Sequence, residues 1–293
     1  MSQWTDLGRP PLRQAALARA LTQGPDAAWR AIEVVPRTGS TNADLAARAR
    51  AGEPEGLVLT ADHQAAGRGR LGRGWEAPPR AGIAVSVLLR PAVDPARWSW
   101  LPLLTGLAVV DALTRVCGLP AGLKWPNDVL VPEPERGRPP EQGELRKVCG
   151  VLVEAVPGAD GVPAAAVAGL GLNVDQGRDE LPVPTATSLR LAGSATLDRD
   201  TVLRACLRAL AVRYRSWADA AGDPRASGIG AAYREACRTL GQEVEVQLPG
   251  RDPVRGVADG VDDDGRLVVT SPAGTQALAA GDVVHVRAPR PAG

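Results

Sequence analysis

Lysine is almost absent from this chain of 293 residues. Of its 34 basic residues, 32 are arginines, and the two lysines are Lys124 and Lys147. An ammonium group is a compact point charge and a guanidinium is a wide fork, so a chain that has replaced lysine nearly everywhere keeps it where arginine would not serve. Both lysines are therefore candidate site residues, although each could also be an ordinary surface lysine.

Cysteine and histidine are also scarce. The four cysteines, Cys117, Cys149, Cys206 and Cys237, are 32, 57 and 31 residues apart, no C-x-x-C occurs, and the chain has two histidines. This spacing argues against a zinc site and against a disulfide framework. We expect reduced, mostly buried thiols.

Long apolar runs and a strong net charge are missing as well. No stretch reaches the roughly 18 continuous apolar residues of a membrane span, and the N-terminus lacks the apolar core of a signal peptide. The net charge of +1 points neither to nucleic acid nor to an anionic membrane. These absences predict a cytoplasmic protein with one large domain or two domains.

What the chain does have is a local concentration of cations. Residues 63 to 90 hold five arginines against one acid, Glu76, and the run HQAAGRGRLGRGW at 63 to 75 combines arginine with glycine. Glycine lets main-chain N–H groups approach a ligand, and arginine suits carboxylate and phosphate oxygens, so the run favours an anionic guest.

Three other interpretations of this run stay open at this point. Gly67, Gly69 and Gly72 match the dinucleotide fingerprint G-x-G-x-x-G, but the run leads into EAPP at 76 to 79, which does not open a helix. A disordered Arg/Gly segment that binds nucleic acid would show repetition, and none follows. A solvated surface loop is the third interpretation.

Periodicity predicts a chain of helices and strands. The helices are a short one near Leu12 to Leu21 in a polar lead-in too short for a helix-turn-helix domain, one opened by the capping-box pair Thr41 and Asp44 and ending near Gly52, one beginning at Asp94-Pro95, and two at 200 to 219 and 228 to 240. The strands are 56 to 61, 83 to 89, 123 to 131, 147 to 156 and 165 to 174, with an exposed hairpin excursion at 132 to 144. From Glu243 onward, short strands and an Asp264-Gly265 turn predict a small β-barrel.

Four stretches taken in order resemble the biotin protein ligases. They are GSTN (39 to 42), QAAGRGRLGRGW (64 to 75), KWPNDVLV (124 to 131) with RKVCGVLVE (146 to 154), and GLGLNV (169 to 174). The resemblance implies an α+β fold, in which a mixed β-sheet with flanking helices forms a class II synthetase-like, biotin/lipoate ligase catalytic domain, followed by an SH3-like β-barrel. The expected divisions are a lead-in at 1–32, the catalytic domain at 33–241, the barrel at 242–288 and a tail at 289–293.

The resemblance also implies an activity and its residues. The family activates biotin with ATP and Mg2+ to biotinyl-5'-AMP, and then transfers biotin to a lysine of a biotin carboxyl carrier domain. Catalytic roles would fall to Lys147, Arg70 and Asp128. Biotin would be bound by Ser40, Thr41, Asn42, Gln64, Gly67, Arg68, Gly69, Arg70, Lys147 and Gly150, and ATP or the adenylate by Arg70, Arg73, Trp75, Lys124, Asn127, Lys147 and Asn173. Arg68 to Arg70 would fold over the ligand as a lid.

Simpler structural explanations remain beside these roles. Trp75 and Trp125 could be core aromatics, Asn127-Asp128 a turn, and Asn173 the cap of a strand end. Two features depart from the family: the excursion at 132 to 144 is long, and the N-terminal DNA-binding module of some relatives is missing, so we expect no operator binding. Rival functions are a lipoate or octanoate ligase or transferase on the same scaffold and a nucleic-acid-binding module. The resemblance leaves open whether the chain is a homodimer.

Overall fold

The computed structural model describes residues 8–24, 27–135, 143–158, 161–248 and 250–285. Most of the predicted excursion (136–142) and the predicted tail (289–293) lie outside the described residues.

Seven strands form the large sheet. Its order is β1-β2-β5-β9-β8-β7-β6; β1 runs parallel to β2, and every other neighbouring pair is antiparallel. The expectation of a mixed sheet is confirmed. The strands are β1 (Ala31–Val35), β2 (Leu57–Ala61), β5 (Gly82–Leu89), β6 (Gly122–Lys124), β7 (Asp128–Glu133), β8 (Glu144–Pro157) and β9 (Pro163–Asn173), and a short hairpin outside this sheet consists of β3 (Gly67–Arg68) and β4 (Gly74–Trp75).

Helices cover both faces of this sheet. Successive side chains of a strand point to opposite faces, and Leu57 and Leu59 lie in a different apolar cluster from Val58. The cluster of Leu57 and Leu59 includes residues of α2, and the cluster of Val58 includes residues of α3 and α4. The helices are α1 (Gln14–Thr22), α2 (Thr41–Arg50), α3 (Trp100–Ala112), α4 (Arg199–Asp219) and α5 (Ile229–Ala236).

The helical stretch Trp100–Cys117 is long and apolar enough to cross a membrane, by length and composition alone. It is 67% buried, and α3 packs against α4, α5 and β8. Core packing therefore accounts for its apolar character.

The C-terminal strands form a second, antiparallel sheet in the order β13-β12-β11-β10-β14. The predicted Asp264-Gly265 turn joins β11 to β12, with Gly265 at φ 75°, a backbone conformation that glycine adopts without a steric penalty. The predicted barrel closure is wrong for the described strands, because β13 and β14 are edges of an open sheet. The strands are β10 (Glu243–Gln247), β11 (Val254–Val261), β12 (Leu267–Ser271), β13 (Gly274–Leu278), which was not predicted, and β14 (Asp282–His285).

Several predicted boundaries are corrected by the structure. The run 123 to 131 is two strands joined by a tight turn, because Lys124 pairs with Asp128 across it. Asp94 caps a short 3-10 helix (Pro95–Arg97) instead of α3. The last helix ends at Ala236, because Cys237 forms a bridge to Leu123.

Two N-terminal features also differ from the expectation. Ser40, and not Thr41, is the N-cap of α2, and its side chain accepts from the N–H of Ala43. The predicted polar lead-in contributes to the core, since Leu17 and Leu21 are fully buried. β1 extends across the predicted boundary between residues 32 and 33, and the division into domains stays a prediction.

Candidate active site

A cavity forms where the large sheet extends past the N-terminus of α2. Under α2 this face carries apolar residues such as Leu88 and Val167. Two positions further along the same strands stand Ser86 and Gly169, and strand side chains two positions apart share a face. The change to small residues leaves room for a cavity of about 570 Å3.

The cavity gathers nearly all of the predicted site residues. Gly67 is the exception; a Cβ there would lie 2.4 Å from the carbonyl oxygen of Trp75, so this glycine permits the close approach of β3 to β4. The predicted residues that line the cavity are Ser40, Thr41, Asn42, Gln64, Arg68, Gly69, Arg70, Arg73, Trp75, Lys124, Asn127, Asp128, Lys147, Gly150 and Asn173.

One end of the cavity is a frame of neutral polar side chains. The Gln64 carbonyl Oε1 accepts from the N–H (2.8 Å) and the hydroxyl (3.0 Å) of Thr41, which leaves the amide Nε2 as a donor for a ligand. The Ser86 hydroxyl lies 2.7 Å from Thr41 Oγ1 and 2.6 Å from Asn42 Oδ1. These bonds hold amide and hydroxyl groups in fixed directions, which suits a ligand with its own donors and acceptors.

Glycines of β8 and β9 make space for an indole ring. Gly150 and Gly171 are direct partners across the two strands. A Cβ on Gly171 would lie 2.4 Å from the ring of Trp75, and a Cβ on Gly150 would lie 3.1 Å from it. Trp75 therefore packs over a floor that only glycine leaves open, and it lines the cavity, where an indole ring can stack on a planar ligand.

More cations than acids line the rest of the cavity. Lys147 Nζ lies 2.6 Å from Asp128 Oδ1 and 5.7 Å from the centre of the Trp75 ring. Burial lowers the pKa of Arg70 and of Lys124 from their ordinary values. The acids Glu76 and Asp128 and five cations line the cavity: Arg68, Arg70, Arg73, Lys124 and Lys147. Arg68 pairs with Glu154 and Arg73 with Asp282, two acids that do not line it.

A lowered pKa for a buried cation means that its charge is poorly compensated by its surroundings. An anionic guest in the cavity would supply the missing compensation. The arrangement fits two negative groups brought side by side.

The glycine–arginine run forms a hairpin over the cavity. Between β3 and β4, residues 70 to 72 make a turn in which Leu71 has φ 56°, and Leu71 is exposed. The Arg70 guanidinium lies 3.4 Å from Asn127 Oδ1, and Arg73 donates to Asp282 of β14 at 2.6 Å. The run does not open a helix, so the dinucleotide fingerprint is excluded.

Asn173 uses its side chain within the protein. Its Nδ2 donates to the carbonyl of Thr187 (2.9 Å), and its Oδ1 accepts from Gln176 (3.1 Å). The backbone N–H of Thr187 donates in turn to the carbonyl oxygen of Lys147 (2.8 Å), and Ala186 forms a β-bridge with Lys147. Asn173 therefore holds the segment that pairs with the backbone of Lys147.

The surroundings of Trp125, of Asn127 and of the four cysteines decide between the structural and functional interpretations of these residues. Trp125 is a core aromatic, 2% exposed, whose Nε1 donates to the carbonyl of Gly265 (3.1 Å). Asn127 stands in the tight turn between β6 and β7, and it lines the cavity as well. All four cysteines are free and buried, as expected.

Sequence reasoning missed three residues of this region. Ser86 and Gly169 sit in the middle of apolar strands and were given no site role. Glu154 was quoted as part of a motif without a role, and its carboxylate accepts from Asn42 (2.8 Å) and from Arg68 (3.2 Å). A polar residue within an otherwise apolar strand was the available signal for Ser86.

Comparison with known proteins identifies the family. Residues 34–173 match the model of the biotin/lipoate A/B protein ligase family, and residues 239–286 match that of the biotin protein ligase C-terminal domain. The biotin–[acetyl-CoA-carboxylase] ligase of Mycobacterium tuberculosis is 43% identical over 95% of this chain and 97% of its own length. This chain belongs to the biotin protein ligases. The ligase of the same name from Paracoccus denitrificans is 32% identical, over 85% of this chain and 98% of its own length.

A solved structure agrees with the biotin protein ligase assignment. The biotin protein ligase from Aquifex aeolicus, in complex with biotin and ATP, superposes with a TM-score of 0.69 at 27% identity, over 89% of this chain and 100% of that one. The resemblance drawn from four sequence motifs is confirmed, and so is the predicted α+β fold with a mixed sheet and flanking helices.

Proposed function

We propose that this chain joins biotin to ATP as biotinyl-5'-AMP and then transfers biotin to a lysine of a carrier domain. The observation that carries the proposal is the two-ended cavity, in which a neutral polar frame and a cluster of five cations share one space. The A. aeolicus ligase, with biotin and ATP bound, has the same fold.

The polar frame suits the ureido ring of biotin. This ring has two N–H donors and one carbonyl acceptor, so it needs partners of both kinds. The amide of Gln64 and the hydroxyls of Ser40, Thr41 and Ser86 supply them, and Asn42 is held in place behind them. Lipoate has no such ring, so the frame favours biotin over lipoate or octanoate.

The cationic end serves the joining step. Biotin carboxylate attacks the α-phosphorus of ATP, the bond to pyrophosphate breaks, and a mixed anhydride forms. Two anions about 4 Å apart repel by roughly 1 kcal/mol in water and roughly 4 kcal/mol in a partly dry site. Lys147 at the carboxyl and Arg70 with Lys124 at the phosphate offset this repulsion, and Trp75 stacks on the adenine.

Transfer then requires a lysine amine from the carrier domain. The amine attacks the acyl carbon, AMP leaves, and the amine loses a proton. We place Asp128 beside the incoming amine, because its carboxylate is the acid that faces Lys147 in the cavity. The substrates supply both nucleophiles, and the protein supplies positioning, charge and exclusion of water.

The residues fit Mg2+ when the ion is brought by the nucleotide. Within the described ranges, no group of three or more His, Cys, Asp or Glu side chains is arranged so that it could hold a metal ion. Mg2+ commonly binds to one or two carboxylates together with phosphate oxygens. Asp128 and Glu76 are the acids available at the cavity for that purpose, and the ion would balance charge on the leaving pyrophosphate.

The acceptor, the location and the assembly are further parts of this proposal. A biotin carboxyl carrier domain of a biotin-dependent carboxylase fits the chemistry of transfer to a lysine. A need for ATP and four free buried thiols support a cytoplasmic location. We infer no role in binding nucleic acid or membranes, and a homodimer would be visible by sedimentation.

Incubation with biotin, ATP, Mg2+ and a biotin carrier domain, followed by a streptavidin blot, tests the proposal. We expect a labelled carrier when all four components are present and no label when ATP is omitted. Lipoate in place of biotin is the control for specificity. Lipoylation of a lipoyl domain at a comparable rate, or DNA binding without ATP turnover, would favour a rival function.

A further inference from the structure

We infer that Glu154 is a positioning residue that ties the biotin-binding frame to the glycine–arginine lid. The lid is defined as residues 67–75, the β3–β4 hairpin. This inference rests on the proposed function for its catalytic consequence, and its structural part stands on the contacts of Glu154 alone.

One carboxylate oxygen of Glu154 accepts from two parts of the site. Oε2 lies 2.8 Å from Asn42 Nδ2 and 3.2 Å from Arg68 Nη2. Asn42 belongs to the first turn of α2, and Arg68 belongs to the lid. Glu154 therefore joins a frame residue and a lid residue that have no sequence proximity.

The frame side of this junction leaves Asn42 little freedom. Asn42 is 5% exposed, its Nδ2 also donates to the carbonyl of Leu152 (3.1 Å), and its Oδ1 lies 2.6 Å from the Ser86 hydroxyl. A Cβ on Gly169 would lie 2.0 Å from that same Oδ1. A shift of Glu154 would therefore disturb a side chain that has no alternative position nearby.

The contacts close into a ring. From Glu154 they run through Asn42, Ser86 and Thr41 to Gln64, and Gln64 stands just three residues before the lid begins. Arg68 closes the ring from the other end of this short stretch. The root of the lid is thus fixed at two points by a single hydrogen-bonded network.

This geometry has a functional consequence. When a ureido ring binds in the frame, it restricts the motion of Asn42 and therefore that of Glu154. Glu154 then holds Arg68 in place with the lid closed. Without the carboxylate, biotin would bind a looser frame, and the adenylate would escape more readily past the lid. Glu154 does not line this cavity itself; with Arg68 it lines a neighbouring cavity.

The test is a double-mutant cycle with two separate readouts. The variants are Glu154→Ala, Arg68→Ala, the double variant and Glu154→Gln. Glu33→Ala is the control, since Glu33 pairs with Arg48 in the last turn of α2 and neither residue lines the two cavities. The first readout is hydrogen–deuterium exchange of lid peptides in the ligand-free protein. The second is the KM for biotin against kcat in pyrophosphate release.

We expect Glu154→Ala to speed lid exchange and to raise the KM for biotin by roughly 10- to 150-fold, the range for loss of a hydrogen bond to a charged group, with the half-exposed ion pair to Arg68 adding little. The value of kcat should change by less than about threefold, since Glu154 touches no reacting atom. Arg68→Ala should add little to the effect of Glu154→Ala on lid exchange, because both variants remove the same junction. Glu154→Gln keeps an acceptor for Asn42, so its KM should stay near that of the original protein.

Effects of Arg68→Ala and Glu154→Ala on lid exchange that simply multiply would overturn the inference, and so would unchanged lid exchange in Glu154→Ala. If Glu154→Ala does not fold, lid exchange in Glu154→Gln decides the matter. Faster exchange than in Glu33→Ala supports the inference, because the amide no longer carries the charge that pairs with Arg68, and equal exchange overturns it. The exchange readout needs no substrate. A failure of the inferred role of Glu154 therefore remains distinguishable from a failure of the proposed activity.

Discussion

Replacing Lys147 by alanine should reduce the joining of biotin to ATP and leave the fold largely intact. The ammonium lies at 2.6 Å from Asp128, with the two side chains 32% and 21% exposed, so it is neither fully solvated nor deeply buried. A charge-assisted contact of this kind contributes about 1.5–3 kcal/mol. At 1.36 kcal/mol per factor of ten, the rate of pyrophosphate release should fall by roughly 10- to 150-fold.

Single-turnover pyrophosphate release at saturating biotin and ATP measures this effect directly. Asp128→Asn is the matched variant, because it removes the other half of the same pair and keeps the ammonium. We expect Asp128→Asn to slow transfer to the carrier lysine more than it slows pyrophosphate release. The reasoning is refuted if Lys147→Ala releases pyrophosphate at the original rate while its melting temperature is unchanged.

Three other predictions follow from burial and packing. Because burial lowers the pKa of Lys124, its charged form destabilises the folded state, and the stability contributed by this group rises with pH between the lowered pKa and the ordinary one. Lys124→Met should therefore match or exceed the original melting temperature at pH 7 and still weaken ATP binding, as calorimetry with ATP would show. Gly169→Ala should raise the KM for biotin, because the added Cβ would lie 2.0 Å from Asn42 Oδ1, whereas Gly260→Ala, which meets nothing within 4 Å, should not. Iodoacetamide at pH 8 should label none of the four cysteines in the native protein and all four in urea, by mass spectrometry, because the thiols are buried and burial raises their pKa.

Much of the site could be predicted because its chemistry requires unusual residues. Lysine is so rare in this chain that the positions of Lys124 and Lys147 were informative by themselves, and both line the cavity. Glycine beside arginine at 67 to 73 indicated close backbone approach to an anion, which agrees with a hairpin over a cationic cavity. Ordered motifs then connected four distant stretches of the chain.

The misses have physical reasons of their own. The run 123 to 131 looked like one strand because its apolar residues continue on both sides of the turn at residues 125 to 127, and only the pairing of Lys124 with Asp128 reveals the hairpin. Closure of a barrel depends on pairing between edge strands, which no local pattern encodes. The role of Glu154 comes from two partners that are distant in sequence, and periodicity carries no information on such contacts.

The central claim is that the cavity makes biotin carboxylate attack the α-phosphorus of ATP. Biotin with 18O in both carboxylate oxygens tests this claim most directly, with mass spectrometry of the AMP that is released after transfer to a carrier domain. The account predicts one 18O atom in each AMP and none in pyrophosphate. AMP without 18O, formed while the carrier becomes biotinylated, would contradict it.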